Sequence, residues 1–268
     1  MSILVRSCLV ALGGVIGVIA SFAFGVLTPV GQSVEQRVLD SSSYAEHSPL
    51  LAVVTVPNLA IACAVVVLIA IVRRRWADAA VAALLLVASN LLGQLLKYRV
   101  LDRPPLTSDS LDAANTFPSG HTIAFASVLI GLVIVVPPVL RAILAPIVAL
   151  VLGAVAVQLL AFGWHRPSDI VGGVCLVVAI AGVLMALRTL RTPRVRMGRN
   201  PARPVGRVLL GVGVLAGIAA GVLAGLLSLN LLDDGWPVRA LAFGVGVATV
   251  CVGVGAVLWM LPAVARRR

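Results

Sequence analysis

Two polar segments of the chain hold residue types that are scarce in the rest of it. The first runs Lys97-Tyr98-Arg99-Val100-Leu101-Asp102-Arg103-Pro104 and, after a polar loop, Pro118-Ser119-Gly120-His121. The second is Gly163-Trp164-His165-Arg166-Pro167-Ser168-Asp169. Between them they hold His121, His165 and the only lysine, Lys97. His165 and Asp169 are four residues apart, so one helical turn would put them on one face. A carboxylate bonded to one imidazole nitrogen fixes the tautomer and leaves the other nitrogen free to attack. Pro-Ser-Gly-His reads as the opening of a helix, with Ser as cap and Gly allowing a ligand to approach the backbone. The free N–H groups and dipole at such an end suit a phosphate, and His121 would project from that same end. Lys97 and Arg103 would supply the positive charge that a transferring phosphoryl group needs. No carboxylate cluster and no His/Cys set with metal-ligand spacing accompanies them, which implies chemistry without a bound metal.

The elements that must position these residues are membrane helices. The 268 residues are 60% hydrophobic and 12% charged, with a mean hydropathy of +1.11, where a soluble domain carries roughly 25% charged residues. A water-soluble enzyme, a disordered chain and a nucleic-acid-binding module are thereby disfavoured, despite a formal charge of +11. Eight apolar blocks have the character of spans: Cys8–Val30, Leu51–Val72, Ala79–Leu96, Thr122–Val136, Ala142–Phe162, Ile170–Leu187, Val208–Leu229 and Val238–Val264. With the N-terminus cytoplasmic, the inner segments sum to +14, with Asp78 their one acid, and the outer segments to −3, which together give the +11 of the chain. Positive charge inside sets topology, so both termini are expected in the cytoplasm and both chemistry-bearing segments on the outer face. The basic stretch Arg188 to Arg207 then reads as an inner connector rather than a nucleic-acid site. Cys8, Cys63, Cys175 and Cys251 sit in apolar blocks and read as small fillers. His47, in the polar outer loop Gly31 to Pro49, reads as a solvated residue. Gly213, Gly217, Gly221 and Gly225 recur on one helical face and, like Gly13 and Gly17, permit close helix approach; packing within the chain is the favoured reading, a homodimer contact the alternative.

The ordered set Lys97…Arg103-Pro104, Pro118-Ser119-Gly120-His121 and His165-x-x-x-Asp169 resembles the three-part signature of the type-2 phosphatidic acid phosphatases, K-x(6)-R-P, P-S-G-H and S-R-x(5)-H-x(3)-D. The resemblance implies a six-helix core with its site at the outer membrane face, covering residues 1–188. A basic linker, 189–207, and two added helices with a basic tail, 208–268, would follow. It further implies that His165 is the nucleophile, forming a phosphohistidine; that Asp169 orients and activates it; and that His121 protonates the leaving oxygen. Lys97, Arg103, Ser119 and the Gly120 backbone would hold the phosphate oxygens.

Two departures accompany the match. Lys97 lies one residue closer to Arg103 than the pattern has it, the family position falling on Leu96; a tightened turn is expected to deliver the ammonium. The Ser-Arg positions of the third block fall on Gln158 and Leu159, so one phosphate-gripping arginine is missing, and Arg166 or Arg99 is expected to replace it. The reading is an all-α, polytopic membrane phosphatase of the plasma or inner membrane with an extracytoplasmic site. It would hydrolyse a lipid phosphate or diphosphate such as phosphatidic acid, phosphatidylglycerol phosphate or a polyprenyl phosphate. The alternative is a catalytically impaired lipid-phosphate binder or accessory protein.

Overall fold

The computed structural model describes residues 1–42, 51–107, 114–191 and 200–262. His47 and the terminal Arg266, Arg267 and Arg268 lie outside these. Among the described residues the chain is helical with no strand: α1 Ile3–Ser21, α2 Pro29–Asp40, α3 Val56–Val72, α4 Trp76–Leu95, α5 Gly120–Val135, α6 Pro138–Ala161, α7 Pro167–Arg191, α8 Arg203–Ser228 and α9 Trp236–Met260. Two helices end in a π-helical turn, α1 through Phe22–Val26 and α4 through Leu96–Val100.

Six of these helices, counting the π turns, are long and apolar enough to cross a membrane, and α3 and α5 are shorter apolar helices of 17 and 16 residues. Large apolar side chains cover the outside, as at Leu215, Ile218, Leu150 and Ile19. A soluble protein rarely exposes so much contiguous apolar surface; it is the exterior of a multi-pass membrane protein. Helices α4, α7 and α8 begin a few residues before the apolar blocks they contain, and α7 also runs past its block to Arg191, because helical backbone continues beyond the apolar residues into polar positions such as Asp78, Arg188 and Arg203.

One expectation of the sequence is corrected at the connection that follows the first apolar block. The segment after the first span is not a loop from Gly31. Thr28 accepts the Gly31 N–H and Pro29 takes the first turn, so a helix starts there. This helix, α2, lies outside the spans and buries one face, Gln32, Glu35, Val38 and Leu39.

Helix α7 is the axis of the bundle. It packs along α1, α4, α5 and α9, and α8 runs along α9. Close approach of α1 depends on small residues: a Cβ on Gly14 would stand 2.8 Å from the Cβ of Ala179, and one on Gly17 2.5 Å from the Cys175 Sγ. Gly213 seats α8 against Val252 and Ala248 of α9, whereas Gly221 and Gly225 face open space. Val133 and Ile134 of α5, Val174 and Val177 of α7 and Val254 and Leu258 of α9 share one core.

The two ends of the bundle differ in chemistry. At one, the buried Asp78 pairs with Arg75 and, at 2.7 Å, with Arg188, and the buried Arg141 donates to the carbonyls of Val133, Ile134 and Pro262. Because α4 and α7 run the length of the bundle, Lys97 and Asp169 lie at the other end, roughly 30 Å away at 1.5 Å per residue.

Candidate active site

The turn from α6 into α7 brings His165 back over the bundle. Gly163 adopts φ 68°, the left-handed conformation that ends helices; its N–H bonds the Leu160 carbonyl and the Trp164 N–H bonds the Leu159 carbonyl. His165 follows at once, and Pro167 starts α7. Asp169, fully buried, then makes three contacts through one oxygen. Its Oδ2 lies 3.2 Å from His165 Nδ1 and accepts the Arg166 N–H at 2.9 Å and the Thr116 hydroxyl at 2.6 Å. The bond to Arg166 N–H is the helix cap that an acid in the third helical position commonly supplies. Asp169 therefore caps α7 and orients His165 at the same time. With Nδ1 facing Asp169, Nε2 is the ring nitrogen left for chemistry.

The Pro-Ser-Gly-His segment is fastened to this turn. Ser119 N–H donates to the Asp169 carbonyl at 3.0 Å. The Ser119 hydroxyl oxygen accepts the Thr122 N–H at 3.3 Å and so caps α5. Phe117, fully buried, wedges between Phe22, with ring centroids 5.2 Å apart, and Gly172, where a Cβ would collide with the ring. His121 then stands in the first turn of α5, its ring 6.1 Å from that of His165 and 5.5 Å from that of Trp164. Space beside Gly120 is open, the nearest atom to an added Cβ being Gln94 Nε2 at 3.9 Å. The first N–H groups of a helix have no partner within it, so the Gly120 and His121 amides sit where an anion would be held.

Of the remaining expected residues, Arg103 and Arg166 are brought to this end and buried, and Arg166 Nη1 donates to the Thr116 hydroxyl at 3.1 Å. The two guanidinium groups are close enough for their charges to interact. Arg99 is exposed. Lys97 is half-buried, its Nζ 5.6 Å from the centroid of the Tyr98 ring. The turn that carries it is wider than an α-turn rather than tighter, a correction to the expected adjustment: a π turn holds one residue more, and such turns are frequent at functional sites. Leu159, at the third-block arginine position, is fully buried in an apolar core.

Four residues at this site were not singled out from the sequence. Asn115 donates to the carbonyls of Lys97 and Leu101 and accepts from Phe117 N–H, joining the end of α4 to the Pro-Ser-Gly-His segment. Thr116 bridges Asp169 and Arg166. Gln32 donates to the Pro104 carbonyl at 2.8 Å and accepts the Leu106 N–H. Glu35 takes Arg103 Nη2 at 2.7 Å on one oxygen and the Ser168 N–H at 2.8 Å on the other. Burial, and next the negative charge of Asp169, push the Glu35 carboxyl up to about 7, against the opposing pull of Ser168 and Arg103. Burial also lowers the Arg103 guanidinium. Asn115 and Thr116 directly precede Phe117 and were legible as polar residues beside a motif; Gln32 and Glu35 carried no such signal.

Among the described residues no three His, Cys, Asp or Glu side chains gather closely enough to hold a metal ion. The arrangement sets an imidazole against a carboxylate, with a second imidazole on the facing helix end and arginines and helix amides close by. Residues 79–193 match the family model described as the PAP2 superfamily. No curated protein and no solved structure matches the chain.

Proposed function

Since residues 79–193 belong to the PAP2 superfamily, the type-2 phosphatidic acid phosphatases, we propose that the protein is an integral membrane phosphatase acting on a lipid phosphate or diphosphate through a phosphohistidine on His165. The observation that carries this reading is the 3.2 Å contact of His165 Nδ1 with Asp169, with His121 facing His165 from the start of α5.

In the first step His165 Nε2 attacks phosphorus and the bond to the lipid oxygen breaks. His121, as imidazolium, gives its proton to that oxygen, and Asp169 balances the positive charge that His165 acquires. In the second step water attacks the phosphohistidine, His121 takes the water proton, and the P–N electron pair returns to His165. Arg103, Arg166, Lys97, Ser119 and the Gly120 amide bind the equatorial oxygens, whose charge grows in the transition state. Arg166, rather than the exposed Arg99, takes the place of the arginine absent at Leu159. The arginine-rich end of the bundle faces the cytoplasm by the positive-inside rule, so the site opens at the outer leaflet. The headgroup enters there while the hydrocarbon stays in the bilayer. All eight apolar helices span the membrane, with α1 to α7 holding the catalytic core and α8 and α9 added to it.

The buried Leu159 also favours a second reading, a lipid-phosphate binder with impaired turnover. Phosphate release from a panel of phosphatidic acid, phosphatidylglycerol phosphate and polyprenyl phosphates and diphosphates separates the two. Turnover that disappears in His165→Ala supports the phosphatase; binding without release supports the binder.

A further inference from the structure

We infer that Glu35, on a helix outside the three sequence blocks, is a positioning residue of the phosphate site, fixing Arg103 and the first turn of α7 in one arrangement. This rests on the phosphatase reading above for its catalytic meaning, but its structural content concerns anion binding alone.

A buried carboxylate is costly unless charged and hydrogen-bonding partners surround it. Glu35 is 4% exposed and has both: Arg103 from the segment after α4, and the Ser168 amide from the start of α7. Four parts of the chain meet around it. Gly25, in the π turn after α1, comes so close that a Cβ there would stand 2.6 Å from the Ser168 Cβ and 3.0 Å from Glu35 Oε1. Gln32, three residues earlier on the same face of α2, holds Pro104 and Leu106, which follow Arg103 in the chain. Helix α2 thus grips the segment that carries Arg103 at three points and α7 at a fourth.

The consequence for the site is geometric. Arg103 has five N–H donors in one rigid plane. With Nη2 bound to Glu35, the plane is set, and among the described residues the buried Nε has no hydrogen-bond acceptor. A tetrahedral oxyanion supplies the acceptor that this edge lacks. The other Glu35 oxygen holds the amide one residue before Asp169, so the same side chain sets the helix turn that orients His165. The charged groups around Glu35 are Arg103 from the loop and Asp169 from α7, with Arg166 beside Arg103.

Sulfate, which keeps its charge between pH 5 and 9, tests this by calorimetric titration of the detergent-solubilised full-length protein. Glu35→Gln keeps the size of the side chain but places an amide where Arg103 needs an acceptor, and is expected to weaken sulfate binding about tenfold. Arg103→Gln is expected to weaken it at least as much, and the double variant to bind no more weakly than Arg103→Gln alone, because the two residues act as one unit. Glu35→Asp, one methylene shorter, should fall between wild type and Glu35→Gln. In turnover, Glu35→Gln should raise KM for the lipid phosphate more than it lowers kcat. Wild-type affinity in Glu35→Gln would overturn the inference, as would a further tenfold loss on adding Glu35→Gln to Arg103→Gln. The latter comparison also serves if Glu35→Gln alone does not fold, since the double variant leaves no unpaired buried charge. An intact sulfate cycle in a protein that releases phosphate from no lipid would remove the phosphatase reading and leave the positioning role in place.

Discussion

The same oxygen of Asp169 that lies 3.2 Å from His165 Nδ1 also accepts the N–H of Arg166 at 2.9 Å. The helix cap and the contact that orients the imidazole therefore share one oxygen, so the start of α7 is coupled to the placement of His165. Asp169→Asn keeps the shape but presents an amide where the tautomer depends on a carboxylate. It is expected to lower kcat by roughly 10³–10⁴ with a small change in KM, by analogy with other His–carboxylate pairs. Steady-state kinetics on one lipid phosphate checks this; a loss confined to KM would place Asp169 in binding instead.

His121 faces His165 across 6.1 Å between ring centroids. In the proposed role of general acid it would matter most for a leaving group that needs a proton. His121→Ala should cost about 10²–10⁴ in rate with an alkyl phosphate and far less with p-nitrophenyl phosphate, whose leaving group departs as a stable anion. Equal losses for both substrates would assign His121 to another task.

Arg166 is buried and bonded to Thr116, while Arg99 is exposed. Arg166→Ala is expected to reduce kcat/KM by about 10²–10³, the usual effect of removing one contact to a developing oxyanion, and Arg99→Ala to leave it near wild type. Full activity in Arg166→Ala would end its assignment as the replacement for the arginine missing at Leu159.

The fully buried Phe117 ring occupies the space that a side chain at position 172 would fill. Gly172→Ala forces that ring, and with it Pro118 and Ser119, away from α7. Overpacking of this kind costs about 1–3 kcal/mol, so a lower thermal midpoint is expected together with a larger loss of turnover than stability alone explains. An unchanged midpoint and unchanged turnover would show that Phe117 relocates without consequence.

That these segments meet was legible because two of the chain's three histidines and its only lysine fall in them. His165 and Asp169 lie four residues apart across the start of α7, and Ser119 caps the helix whose first turn carries His121. The apolar blocks likewise marked the helices, with errors of a few residues where helical backbone runs on into arginines. Glu35 was hidden for the opposite reason. Its partners, Arg103 and Ser168, are 68 and 133 residues away in the chain, and on the sequence it is one more acid in an outer connection. Its helix was masked too: Gly31 and Ser33 are weak helix formers, and α2 holds together by burying Val38 and Leu39 and by the Thr28 cap. The π turn at Leu96–Val100 leaves no spacing rule to read, so a tightened turn was the natural but incorrect expectation for Lys97.

Glu35 has a pH signature. Its carboxyl is raised from 4.5 to about 7 in the fold. Between these values the folded protein keeps a proton that the unfolded chain has released, so stability falls as pH rises through that window. The thermal midpoint of the wild type should decline from pH 5 to pH 7.5 more steeply than that of Glu35→Gln, which has nothing to titrate there. Parallel profiles would show that Glu35 ionises in the ordinary carboxylate range.

In the proposed reaction, phosphate passes through His165. Rapid acid-free quenching of the protein with a ³²P-labelled lipid phosphate, followed by base-stable, acid-labile mapping of the label, tests it directly. A phosphohistidine at His165 is expected, absent in His165→Ala and accumulating when its hydrolysis is slowed. Sustained phosphate release by His165→Ala, or label on another residue, would contradict it.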